Sequence, residues 1–187
     1  MKTIITGKII FGLVLTGFLG FSPLYGTDTR SVHLDMNLII DGSGALSNVM
    51  DEVKDWVSQT LDQLLVTGDT ITVWSAGSAA RIVYSDTIQN DTDREAVKKI
   101  LQELSAEDDN ADFSGALREA GALRGSSGAI TYTLLISASA AALSPTLLGP
   151  QANLMRFSRV EEFRGWRTMV VGLNIDSKVR QAAALLF

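Results

Sequence analysis

The run Leu38-Ile39-Ile40 limits the possible folds of this chain more than any other feature. It is three large apolar residues in a row, ending abruptly at Asp41-Gly42-Ser43-Gly44. A strand with water on one face alternates polar and apolar residues, whereas an unbroken run suits a strand covered on both faces. Helices must supply that cover, and the sequence offers strands and helices in alternation. Leu34 to Asp41 reads as the first strand. Leu46, Val49, Met50, Val53, Trp56, Val57, Leu61, Leu64 and Leu65 then recur at spacings of three and four, the mark of an amphipathic helix, and Gly68 is positioned to close it. Trp56 falls in register with Val49, Val53 and Leu64, so it is expected in the core.

Asp69 to Ala76 contains the β-branched run Ile71-Thr72-Val73-Trp74, and Arg81-Ile82-Val83-Tyr84 follows after Gly77-Ser78. So short a connection makes an antiparallel hairpin, because a parallel pair needs a crossover. A helix is expected from Asp93 to about Leu104, then an acidic loop, Glu107-Asp108-Asp109-Asn110, then a helix over Phe113 to Leu123. Ile130 to Ser137 reads as a strand, Gln151 to Phe163 as a helix, Arg167 to Leu173 as a last strand, and Asp176 to Phe187 as a closing helix. The expected fold class is α/β: an open, mostly parallel central sheet with one antiparallel edge strand and helices on both faces.

Residues 1–26 stand apart. They carry Lys2 and Lys8 and no acid, followed by an apolar run from Ile9 to Phe21 that stops near Ser22-Pro23. A basic start, an apolar middle and a helix-breaking end describe a secretory signal peptide. An uncleaved membrane anchor is the alternative, although the run is short of the ~20 apolar residues a spanning helix needs. The expected division is therefore 1–26 as signal or anchor and 27–187 as one domain, exported to the periplasm or the cell surface. The chain contains no cysteine, which excludes disulfides and thiolate chemistry. Without Lys2 and Lys8 the net charge moves from −5 to −7, which disfavours nucleic acid as a partner.

In an open parallel sheet, ligands bind beyond the carboxyl ends of the strands. Those ends are Asp41-Gly42-Ser43, Ser137-Ala138-Ser139 and Asn174-Ile175-Asp176, and the loop Asp108 to Asp112 should reach the same rim. Here the chain resembles the von Willebrand factor A domain family. Ile39-Ile40-Asp41-Gly42-Ser43-Gly44 is similar to the family's opening, an Asp-x-Ser-x-Ser motif at the end of the first strand. Asp69 to Val73 with Ala79 to Val83 looks like its second strand and edge hairpin. Asp112-Phe113-Ser114-Gly115-Ala116-Leu117 resembles its Thr-[Asn/Asp]-x-Gly-x-Ala-Leu segment. Leu134 to Ser137 resembles the strand that ends in Thr-Asp-Gly, and Val170 to Asn174 with Val179 to Ala183 looks like the closing strand and helix.

The resemblance implies a rim that holds a divalent cation through an Asp, two hydroxyls, a Thr and a further Asp. Oxygen ligands of that kind suit Mg2+ or Mn2+. Asp41 and Ser43 stand where the family has ligands, but the other three positions fall on Ala45, Ala111 and Ala138. Alanine supplies no oxygen, so the expected site is a remnant at Asp41, Ser43 and Asp112 that binds Mg2+ or Mn2+ weakly or not at all. Asp108, Asp109, Ser47, Ser137 and Ser139 are further oxygen donors that a rearranged site would draw on. Against that, the acids read as a solvated loop with Asp112 as a helix N-cap, and Asp41 reads equally as a loop-holding carboxylate.

An enzyme is not expected. His33 is the single histidine, at the far end of the first strand from the rim, and no nucleophile motif pairs with it. Gly42-Ser43-Gly44 is too short for a dinucleotide fingerprint, and no lysine follows to make a phosphate loop. Trp74 and Trp166 lie in or beside strands and are open in role. The expected function is a binding module for a protein partner. The alternatives are a metal-dependent adhesin with a rearranged site, and an envelope-complex subunit that packs through Ala140 to Phe163.

Overall fold

The computed structural model describes residues 30–123, 129–138 and 167–172, the last as backbone only. The expectations for the N-terminal segment, the helices over 151–163 and 176–187, Trp166 and Ser139 lie outside the described residues.

Strand β1 (Leu34–Asp41) is buried at every position from Met36 onward, as its unbroken apolar run requires. It pairs in parallel with β2 (Thr70–Ala76) on one side and with β4 (Ile130–Ser137) on the other. β3 (Ala80–Thr87) pairs antiparallel with β2, with a register shift at Val73/Trp74. β5 (Arg167–Gly172) runs parallel to β4. The resulting order is β3-β2-β1-β4-β5, the mixed open sheet expected from the alternation of elements. β3 is the antiparallel edge.

Residue parity divides the sheet into two faces. Met36, Leu38 and Ile40 of β1 join Ile71, Val73, Leu134 and Ile136 in the main core. Against them pack Leu46 from a 3-10 turn (Gly44–Val49), then Met50, Val53, Val57 and Leu61 of helix α1 (Met50–Leu64), and Val97 and Leu101 of α2 (Asp91–Glu103). On the opposite face, α3 (Phe113–Leu123) lies over β1, β2 and β3 and buries Phe113, Ala116, Leu117 and Ala120. Trp74 is fully buried on that face, and its Nε1 donates to Asn37 Oδ1 at 3.1 Å. An indole accepted into a core needs such a partner, which settles its role as structural.

Three sequence expectations are corrected. Trp56 and Leu64 are not core residues: they remain 41% and 39% exposed. At 100° per residue Trp56 lies about 100° round the helix from Val57, off the arc of Val53, Val57 and Leu61. Leu64 falls within that arc but is the last residue of the helix. Gly68 does not close α1. The helix ends at Leu64, with Leu65 already extended, and Gly68 takes φ +98° in the turn into β2. Asp93 does not open α2 either. Asn90 is the N-cap, and Asp93 completes a capping box three residues on, the reciprocal arrangement that satisfies two otherwise orphaned amides.

Candidate functional site

Chain order reverses between β1 and β4: β2 and β3 are added on one side of β1, β4 and β5 on the other. At such a switch point the loops beyond neighbouring strands diverge and leave a crevice. Asp41 ends β1 and Ser137 ends β4, so this crevice is the candidate site, at the rim the sequence indicates.

Asp41 is completely buried. Its Oδ1 accepts from the Ser43 amide at 2.8 Å, and its Oδ2 accepts from the Ser137 hydroxyl at 2.5 Å. Both carboxylate oxygens are therefore engaged inside the protein, and the Ser137 bond ties the two strand ends together across the switch point. Ser43 is buried as well, and its hydroxyl makes no hydrogen bond among the described residues. Ser47 points its hydroxyl back to the Gly44 carbonyl at 2.8 Å. Ala45 is exposed, whereas Ala111 and Ala138 are half-buried, and Ala138 packs against the main core.

The acidic loop reaches this rim through its backbone. Gly44 N–H donates to the Asp108 carbonyl at 2.9 Å, and Asp108 N–H donates to the Gly42 carbonyl at 3.0 Å. This short parallel bridge docks the loop on the first one without using a side chain. The Asp108 carboxylate lies over Gly77, where an added Cβ would overlap it, and Ser78 Oγ approaches it at 3.5 Å. Gly42 is packed almost as closely, since a Cβ there would sit 3.1 Å from Gly77 Cα. The glycines at 42 and 77 thus let two rim loops touch.

Asp112 is fixed by the Gly77 carbonyl, which accepts from its amide at 2.9 Å. Its Oδ1 accepts from Gly115 N–H at 2.7 Å, the N-cap role expected of it. Asp41 and Ser43 come together as the sequence indicates, while Asp112 is committed to the start of α3. Among the described residues, no three acids or histidines converge as a metal-holding group. Asp41 has both oxygens in hydrogen bonds, Asp112 caps a helix, and the Asp108 carboxylate lies on Gly77 and Ser78. His33 lies at the opposite end of β1, 63% exposed and 3.7 Å from Asp69, so it has no part in this rim.

Sequence reasoning missed Asp69, which it read as the start of a strand. Asp69 is completely buried at the amino ends of the strands. It accepts from Leu34 N–H at 2.8 Å and from Val66 N–H at 2.9 Å. An Asp just after Gly68, ahead of a β-branched run, is the signal that could have revealed it.

No protein-family signature and no curated protein matches the chain. Solved structures do match. A von Willebrand factor type A protein from Catenulispora acidiphila superimposes with a TM-score of 0.66 at 21% identity, over 84% of this chain and 38% of that one. Proximal thread matrix protein 1 from the mussel byssus gives 0.61 at 13% identity, over 81% of this chain and 41% of that one. BatB from Bacteroides thetaiotaomicron, a conserved hypothetical protein, gives 0.58 at 14% identity, over 74% and 66%. The chain therefore spans about two fifths of the first two proteins and about two thirds of the third. At these identities the likeness establishes the fold.

Proposed function

We propose, from a von Willebrand factor A fold whose rim carboxylates are turned inward, that this chain is an exported, non-enzymatic module that binds a protein partner without a resident divalent cation. The observation that carries this reading is Asp41. It is the one acid at a family ligand position, and the Ser43 amide and the Ser137 hydroxyl take its two oxygens. Mg2+ there would compete with buried charge-assisted bonds of about 1.5–3 kcal/mol for the charge of one carboxylate, and it dehydrates reluctantly. Ala45, Ala111 and Ala138 offer no oxygen in return.

The non-enzymatic part rests on the distance between chemistries. The rim holds hydroxyls and acids, while the single histidine sits at the other end of the sheet, beside Asp69. A hydroxyl nucleophile needs a base within hydrogen-bond reach, and Asp41, the acid bonded to Ser137, is itself tied to the Ser43 amide. Export rests on the basic and apolar pattern of residues 1–26. N-terminal sequencing of the secreted or periplasmic protein tests it: the expected mature chain starts close to Thr27, and retention of Met1 in a membrane fraction contradicts cleavage.

Manganese titration of the full chain, followed by the paramagnetic resonance of the free ion, tests the metal-free reading. The expected free-ion signal matches that of buffer through the millimolar range. Uptake of one equivalent, abolished by Asp41→Ala, would overturn the proposal.

A further inference from the structure

The two faces of the sheet differ in their amino halves. On the face of the main core, Met36, Leu38, Ile71, Val73 and Leu134 are all apolar. On the α3 side, the register sets Asp35 and Asn37 of β1 between Thr70 and Thr72 of β2 and Thr131 and Thr133 of β4. All six of these positions are polar, yet Asn37, Thr72, Thr131 and Thr133 are buried. The carboxyl half of the same face is apolar, with Ile39, Trp74 and Leu135 buried there.

Buried polar groups need hydrogen-bond partners, and several of these have them. The Thr70 and Thr72 hydroxyls bond those of Thr87 and Ser85 on β3, at 3.2 and 2.9 Å. Asn37 is only half served. Its Oδ1 accepts from Trp74 Nε1, and because an indole N–H can only donate, that bond fixes which way the amide points. The two N–H donors of Nδ2 are left without a partner among the described residues. The Thr131 hydroxyl is likewise without one, and Thr131 is 2% exposed.

Asn37 and Thr131 are diagonal neighbours on adjacent parallel strands, since Asn37 stands beside Thr133, two residues beyond Thr131. One strand spacing across and two residues along put their Cα atoms roughly 8 Å apart. That interval leaves room for a small molecule between the two side chains. We infer that a buried water molecule bridges them, accepting from Asn37 Nδ2 and donating to the Thr131 hydroxyl. Water is the occupant this chemistry selects: both groups are neutral and buried, neither offers charge to an ion, and each needs one further hydrogen bond. The bridge adds a link between β1 and β4 on the face where Asp41 meets Ser137, and it is independent of whether the rim binds a cation.

The test begins with the unaltered full chain. Rotating-frame cross peaks between water and the Asn37 side-chain amide are expected, and their absence overturns the inference. Oxygen-17 relaxation dispersion of the solvent then reports long-lived waters. Thr131→Val, which replaces the hydroxyl with a methyl group of similar shape, should lower that signal. Thr131→Ser, which keeps the hydroxyl, and the exposed control Ser47→Ala should leave it unchanged. In urea denaturation Thr131→Val should lower the ratio of folded to unfolded protein about fivefold, as when a bonded hydroxyl is lost. A Thr131→Val protein that keeps the whole water signal, or is more stable than the parent, overturns the inference, because removing an unbonded hydroxyl from a buried site stabilises the fold.

Discussion

Two fully buried aspartates hold opposite ends of the same sheet, and their likeness explains the rim. Asp69, at the amino ends of the strands, accepts two backbone amides, Leu34 and Val66. Asp41, at the carboxyl ends, accepts the Ser43 amide and the Ser137 hydroxyl. Asp69 is in no ligand motif, and its role is to pin the start of β1 to the turn that leads into β2. Asp41 sits in a metal-site motif yet is bonded in the same manner. A carboxylate at a position that resembles a metal-ligand position can therefore serve as a structural clasp.

Removing the two clasps breaks the comparison most directly. Asp69→Ala should have the largest effect, a loss of about 3–6 kcal/mol, because it strips charge-assisted bonds from two backbone amides at about 1.5–3 kcal/mol each. Asp41→Ala should cost somewhat less, about 2–4 kcal/mol, since the Ser137 hydroxyl can rotate toward another acceptor whereas an amide cannot. Urea denaturation of the two variants checks the order, and an Asp41→Ala protein as stable as the parent would show that Asp41 clasps nothing.

Asp112→Ala sharpens the contrast between the rim as binding site and the rim as framework. The account expects a loss of about 0.5–2 kcal/mol, as for any helix N-cap, with no dependence on divalent cations in thermal melts. Smallest is a control remote from both ends. Hydrogen bonds from Lys98 to Asp62 and Glu95 hold its ammonium above the usual 10.5. A raised folded-state value means that the pair's contribution is present at neutral pH and is lost as pH climbs past 10.5. Both partners are partly solvated, so Asp62→Asn should cost under about 1 kcal/mol, and only below that pH range.

Much of this molecule was legible before its structure. Leu38-Ile39-Ile40 reads as a covered strand, and the short connection through Gly77-Ser78 required a hairpin, so most of the sheet followed from pattern. Trp56 departs from expectation because three-and-four spacing does not show how wide the buried arc is, and Leu64 because it is the last residue of its helix, a boundary that spacing does not fix. Docking of the acidic loop was invisible for a different reason. It is made by the amide and carbonyl of Asp108, groups every residue carries, so no side chain announces it. The three alanines in place of ligands were plain in the sequence, but the inward turn of Asp41 was not. That bond joins residues 96 apart and exists only once β1 and β4 are paired.

The central claim, that Asp41 is a clasp and not a ligand, is tested most directly by thermal melts of the full chain and of Asp41→Asn, each in millimolar Mg2+, in Mn2+ and in chelator. A cation that binds only the folded state raises the melting temperature with its saturation. The account predicts superimposed curves for each protein in all three solutions, with Asn at position 41 lowering the midpoint modestly and equally throughout. A rise with Mg2+ or Mn2+ that vanishes in Asp41→Asn would contradict it.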